Sequence, residues 1–375
     1  MALTRKKIAV VVPKYGLIGG GERFVFELTE RIARISSYEI HVFSNKWRSG
    51  SDHITFHKIP IITFPKWLTS ISFAYFANRK IAKMDFDLIH SHDRVFKSNV
   101  VTLHSIPHRT WVSKIRQKRW PSLFDHGTSW TEKQMYKYSG CQMFLPVSKL
   151  VKKEVMETFQ IDERNIRVVH PGVDVERFQS ANLNDRQEIR HAFGISESDL
   201  LILFVGMNFE VKGLDPLLSV IAHLKSEYHN DQVKTLVVGK GNNKKYKALA
   251  HRLGIDKQII FSGVRNDIER IYQAGDILVM LSKFDTFGMV VTEAMAASLP
   301  VIISDNVGAK DLVTQGENGF VVNREDIELI SSKIHLMLNK EKRLEMGKKA
   351  YNTALDNTWE KMTLTVLNVY ESLLV

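Results

Sequence analysis

Cysteine is nearly absent from this 375-residue chain, where Cys141 stands alone. One thiol excludes an intramolecular disulfide, and with no second thiol a cysteine-rich metal site is excluded too. Cys141 reads as a small buried hydrophobe. Long apolar runs are also missing. None reaches the roughly 18 residues of a membrane-spanning helix. Arg5, Lys6 and Lys7 lead straight into a strand without a signal-peptide core, so the expected location is the cytoplasm. His90 and His92 lack a third metal ligand at suggestive spacing. Asp85-Phe86-Asp87 has the form of a metal-binding D-x-D, but it precedes the strand at Leu88 and reads as a turn. Gly19-Gly20-Gly21-Glu22 lacks the G-x-G-x-x-G order of a dinucleotide site, which argues against NAD.

The composition that is present, 44% hydrophobic and 25% charged, is that of a globular protein with enough chain for two domains. Its net charge of +11 is unevenly placed. Residues 1–175 hold 28 Lys and Arg against 15 Asp and Glu, while the remainder holds 24 against 26. The basic half therefore expects an acidic partner: nucleic acid, an anionic membrane surface or an anionic acceptor.

Strand-like and helix-like stretches alternate throughout, the pattern of α/β units on parallel sheets. Strands are expected over residues 7–12, 38–44, 88–91, 100–103, 143–147 and 166–169. A second series is expected over 200–205, 235–239, 259–261, 277–281 and 301–304. The polar stretch 173–184 reads as a linker, which divides the chain into domains at 1–172 and 185–358. The tri-glycine turn opens a helix after the first strand, where backbone amides can approach an anion. His104 follows the 100–103 strand directly and projects from its carboxyl end. Asp285 lies in the loop after the 277–281 strand, and Glu293 falls in the first turn of the following helix. Taken singly, Asp285 is an ordinary loop acid and Glu293 a helix N-terminal charge. Residues 108–124 interleave Arg109, Lys114, Arg116, Lys118 and Arg119 with Trp111, Ile115, Trp120, Leu123 and Phe124. This segment is either a solvated helical face with its apolar side on the core or an interfacial segment for anionic lipid headgroups. RNA binding is the poorer reading, because no nucleic-acid module surrounds it.

The phrase from Lys283 to Ser304 resembles the E-x7-E signature of retaining glycosyltransferases in family 4, with Asp285 in place of the first glutamate and Glu293 on the second. Further likenesses run along the chain: the Gly19 turn, Val100-Val101-Thr102-Leu103-His104, Pro171-Gly172-Val173-Asp174, Gly206 to Gly213 with Lys212, Phe261 to Val264, and Thr358-Trp359-Glu360. The resemblance implies the GT-B architecture, two Rossmann-like α/β domains facing across a cleft, with the last helix, 359–375, returning to the first. It implies donor contacts from Gly19, Gly20, Lys212, Gly263, Val264, Asp285, Phe287, Gly288 and Glu293. In the family the first acid touches the sugar, the second holds the ribose, the lysine offsets the diphosphate charge, and the histidine sits by the donor sugar. Met207 stands where many members carry an arginine, so Lys240, Arg265 or Lys283 would have to replace it.

The same resemblance implies retaining transfer of a hexose from a nucleotide-diphosphate sugar such as UDP-glucose. No metal and no cofactor is expected. Lys14-Tyr15, the Gly206 turn and the basic aromatic stretch point toward a cell-envelope acceptor such as lipopolysaccharide core, with attachment at the inner face of the cytoplasmic membrane. Two readings of other classes stay open: a GT-B nucleotide-sugar 2-epimerase, and a non-catalytic membrane or glycolipid-binding derivative.

Overall fold

The computed structural model describes residues 5–16, 19–48, 51–179 and 183–374. The chain forms two compact units, Met1–Gly172 with Trp359–Val375, and Val173–Thr358. In each, apolar stretches too short for helices become strands buried on both faces, the usual condition of parallel sheets.

The N-terminal unit carries β1 (Lys6–Val11), β2 (Lys14–Tyr15), β3 (Tyr38–Ser44), β4 (Lys46–Trp47), β5 (Ile54–Lys58), β6 (Leu88–Ser91), β7 (Val100–Leu103) and β8 (Met143–Pro146). Six of them make an all-parallel sheet in the order β5-β3-β1-β6-β7-β8, and β2 pairs with β4 in a separate two-stranded piece. Strand order reverses beside β1, and an open sheet gathers ligands outside the carboxyl ends of its strands at such a point. The helix Trp359–Leu373 packs on the helix Gly20–Ala33 within this unit. Trp359, 1% exposed, meets Phe24 edge-on, and Tyr370 donates or accepts at His90 Nδ1 over 2.7 Å.

The C-terminal unit carries β9 (Leu200–Val205), β10 (Val233–Val238), β11 (Ile259–Gly263), β12 (Ile277–Met280), β13 (Val301–Ser304) and β14 (Gly319–Val322), all parallel in the order β11-β10-β9-β12-β13-β14. Its core includes Phe204, Leu217, Ile221, Val237, Val279 and Ile302. A charged group is buried beside β9 and β12. Asp276 meets Arg190 at 3.2 Å and Arg186 at 3.0 Å, and accepts from Leu201 N at 2.8 Å.

Three expectations need correction. The stretch 173–184 is not an open linker: Val175–Gln179 is helical, and Phe178 is buried edge-on against Tyr272. Residues 180–182 of that stretch lie outside the described residues. Residues 166–169 form no strand, only an isolated bridge from Ile166 to Phe144. Strands β2, β4, β5 and β14 were not anticipated from sequence.

Candidate active site

Three glycines bring the donor-side loops of the C-terminal unit together. Gly213 has φ +84 and its backbone lies against Leu281 O, so the β9 and β12 loops approach more closely than any side chain would permit. Gly206 leaves space for the Lys212 stem, and Gly239 lets β10 close on the Gly206 carbonyl. At this meeting point Lys212 Nζ forms an ion pair with Asp285 Oδ2. Both are partly screened from solvent, at 25% and 13% side-chain exposure. Asp285 itself is rigidly placed. Its N–H donates to Asn306 O at 2.9 Å, its carbonyl accepts from Gly308 N at 2.9 Å, and its Oδ1 accepts from Phe287 N at 3.2 Å.

Gly288, at φ +90, turns the chain into the helix Met289–Ala296. Glu293 is therefore in the second turn and not the first, which removes its reading as a helix N-terminal charge. Its carboxylate is oriented instead by the Tyr272 hydroxyl, which donates to Oε2 at 3.0 Å. Sequence reasoning missed Tyr272, because a buried tyrosine at helical spacing looks like core. Phe287 is buried beneath the loop. Gly263 closes β11 at φ +75 and accepts from Gly239 N at 2.8 Å, leaving Val264 exposed beyond it.

Among the cations considered near Met207, Lys283 is tied to Glu210 at 3.0 Å and Arg265 to Asp267 at 2.8 Å. Lys240 has no ion-pair partner among the described residues, and its carbonyl accepts from Asn208 N at 2.9 Å, next to Met207.

In the N-terminal unit, His104 stands at the carboxyl end of β7 with Nε2 3.2 Å from His92 Nδ1 and its ring edge-on to Phe24. His90 bonds Thr102 Oγ1 at 2.8 Å. Burial pushes His104 down to about 4 and, with repulsion from His104, His90 down to about 3; His92 is lowered well below its ordinary value by burial. At neutral pH this is a file of uncharged imidazoles, able to donate and accept hydrogen bonds but not to bring positive charge. Gly21 packs beside the His104 ring, close enough that an added Cβ would touch it at 3.4 Å. The Glu22 carboxylate folds over Gly19. An anion arriving at Gly19 and Gly20 must displace it, a condition the glycine pattern did not reveal.

The segment 108–124 is not the single solvated helical face that one reading of its pattern expects. A short helix, His108–Thr110, widens into a π-turn at Trp111–Ile115, and the chain then runs irregularly to Ser122, with Gln117 at φ 48. Lys114 pairs with Glu154 at 3.0 Å, Lys118 with Asp125 at 2.9 Å and Arg116 with Asp125 at 3.8 Å, while Arg119 lies over Trp120. Burial opposes ionisation of Asp125, yet bonds from Ser122, Lys118 and His108 hold its carboxyl well below the usual range. Trp120 is 76% and Leu123 73% exposed. The Trp67 carbonyl packs on Gly127 of the helix Leu123–Tyr138, and Phe64, three residues before it, is 87% exposed.

Two family models match the chain in succession: Glycosyltransferase Family 4 over residues 18–177 and Glycosyl transferases group 1 over residues 185–353. Together they take in most of the sequence, and the chain belongs to the family 4 glycosyltransferases of GT-B architecture. Among its relatives is an uncharacterised glycosyltransferase of Methanocaldococcus jannaschii, 26% identical across 97% of this chain and 98% of that one. Solved structures that share the fold include two of interest here. WaaG, a glycosyltransferase involved in lipopolysaccharide biosynthesis, is 19% identical with a TM-score of 0.79 over 96% of this chain and 99% of its own. The Anabaena protein HepE, solved in complex with UDP-glucose, is 17% identical with a TM-score of 0.74 over 98% and 99%.

Proposed function

We propose that the protein moves a hexose, with retention, from a UDP-sugar of the UDP-glucose type to a hydroxyl of a cell-envelope glycan or glycolipid, of which lipopolysaccharide core is the leading example. The observation that carries this reading is the Lys212–Asp285 pair, set where the β9 and β12 loops meet, with Glu293 held by Tyr272 on the helix beyond β12. On binding, Lys212 turns from Asp285 toward the diphosphate, and Asp285 is released to the sugar hydroxyls. As the bond from C1 to the phosphate oxygen breaks, the bonding pair passes to the diphosphate, where Lys212 offsets the charge that develops. The acceptor oxygen bonds C1 on the same face, and its proton passes to the departing phosphate oxygen. Glu293 accepts from the ribose hydroxyls, and neutral His104 hydrogen-bonds the sugar. The reading assigns no step to a metal. The structure of HepE with UDP-glucose supports the choice of donor by analogy.

For the acceptor side, the exposed Trp120, Leu123, Phe64 and Trp67 beside Arg109 and Arg119 suit a peripheral, anionic membrane surface. No helix among the described residues is long and apolar enough to cross a membrane. Thermal unfolding with a panel of nucleoside diphosphate sugars tests the donor assignment. A ligand selective for the folded state raises the transition temperature by mass action. UDP-glucose or a close relative should raise it, and adenine or guanine counterparts should do so less. A panel without effect removes the reading.

A further inference from the structure

The stretch whose polarity marks it as a linker is built into the support of Glu293. Within the C-terminal unit, the short helix Val175–Gln179 packs on two neighbours: Ile268–Ala274, which carries Tyr272, and Met289–Ala296, which carries Glu293. Polar contacts fasten it there. The Gln273 side-chain amide donates to the Phe178 carbonyl, Arg177 meets Glu269 at 3.2 Å, and the Tyr351 hydroxyl donates to Gln179 Oε1 at 2.8 Å. A segment that only joined two domains would need none of them.

Phe178 and Tyr272 are both fully buried, and their rings meet edge to face with centroids 5.4 Å apart at 84°. Such a contact fixes a ring more narrowly than apolar burial alone, because the positive edge of one ring faces the negative face of the other. The Tyr272 hydroxyl lies 3.0 Å from Glu293 Oε2 and 3.3 Å from the carbonyl of Val290, a residue one turn earlier on the same helix. A phenol has one proton to give. The carboxylate is the stronger acceptor, since a bond to an ionised oxygen is about twice as strong as a neutral one. Tyr272 therefore donates to Glu293, and the order of support runs from Phe178 through Tyr272 to the carboxylate. A glutamate left to itself must give up the freedom of three torsions whenever a ligand fixes it. One already held presents its oxygens in place.

We infer that Tyr272 and Phe178 are positioning residues that make the site selective for a ribose over a 2′-deoxyribose nucleotide. The inference rests on the donor reading above, in which Glu293 accepts from the ribose hydroxyls, and it names what sets that selectivity. Accepting from two neighbouring hydroxyls at once requires the plane of the carboxylate to be fixed, whereas accepting from one does not. Loss of the support therefore falls on the ribonucleotide and spares the deoxynucleotide.

Calorimetric titration of the full chain with UDP and with 2′-deoxy-UDP tests it. The wild type should bind UDP at least about tenfold more tightly, because a hydrogen bond to a charged group contributes about a decade of affinity or more. Tyr272→Phe removes only the hydroxyl. It should cut the ratio to about threefold or less while 2′-deoxy-UDP binds within about twofold of its wild-type affinity. Phe178→Leu, which keeps the hydroxyl but not the ring edge, should lower the ratio part of the way. Adding Tyr272→Phe to Glu293→Gln should change nothing further, since residues that act through one another do not contribute additively. A merely structural role weakens both nucleotides alike, and that result overturns the inference. So do additive losses in the double variant, and so does an unchanged ratio in Tyr272→Phe or, if that variant does not fold, in Phe178→Leu. A wild type that binds both nucleotides equally overturns the inference and leaves UDP as the donor nucleotide, while one that binds neither overturns the donor reading with it.

Discussion

Acidification should unfold the N-terminal unit selectively, and the three stacked histidines set the size of the effect. His104 is held down to about 4 and His90 to about 3 by burial, against about 6.5 for an exposed imidazole. Below pH 6.5 the unfolded chain takes up protons that the folded chain refuses. The unfolded state then binds more protons, and stability falls as acid is added. At pH 5 each of these two groups lowers stability by about 2 kcal/mol relative to pH 8, together about 4 kcal/mol. A domain has only about 5–15 kcal/mol in all. All six tryptophans, Trp47, Trp67, Trp111, Trp120, Trp130 and Trp359, belong to the N-terminal unit, so indole fluorescence reports that unit alone. Urea titrations followed by fluorescence at pH 8, 7, 6 and 5 should show the midpoint falling steadily below pH 6.5. His104→Gln should flatten the slope by about a third, as one of the three histidine protons, His92 included, no longer counts. A midpoint that is flat from pH 8 to 5, or a His104→Gln protein with the wild-type slope, refutes the argument.

Other consequences concern the C-terminal unit. Lys212→Ala should lower turnover on the order of 100-fold, the usual loss when one charge-stabilising donor is removed, while costing only about 1 kcal/mol of stability because the pair is partly exposed. Wild-type rates in a folded variant would dismiss the residue from the site. Glu293→Gln should weaken UDP binding, since the amide offers one acceptor oxygen to the ribose where the carboxylate offers two; titration calorimetry reads the difference. Asp276→Ala deprives Arg190, 1% exposed, of its nearer and buried carboxylate, and should cost about 3 kcal/mol or more. Circular dichroism should register that loss while the tryptophan transition stays put.

The central strands were the legible part of the fold. Leu200–Val205 and Val301–Ser304 are unbroken apolar runs because both faces are covered, and such runs announce themselves. The four missed strands are β5 and β14, both at sheet edges, and the two-residue β2 and β4, too short to leave a pattern. Ile166 to Val169 looked similar but finds only one bridge at the far edge, past β8. In the site, residue types and order marked Lys212, Asp285, Glu293 and His104 one at a time. What no local pattern contains is adjacency: the Lys212–Asp285 pair and the Tyr272 bond to Glu293 both arise from strand order. The folding of Glu22 over Gly19 is likewise a side-chain choice that glycine spacing leaves open.

Transfer itself is tested most directly by monitoring UDP release from UDP-glucose with and without a cell-envelope glycolipid fraction. The account predicts UDP appearing in step with glucosylated product only when acceptor is present, with the α-configuration kept in the product by proton NMR, and both signals lost in Lys212→Ala. UDP formed equally fast without acceptor, or a product of inverted configuration, would contradict it.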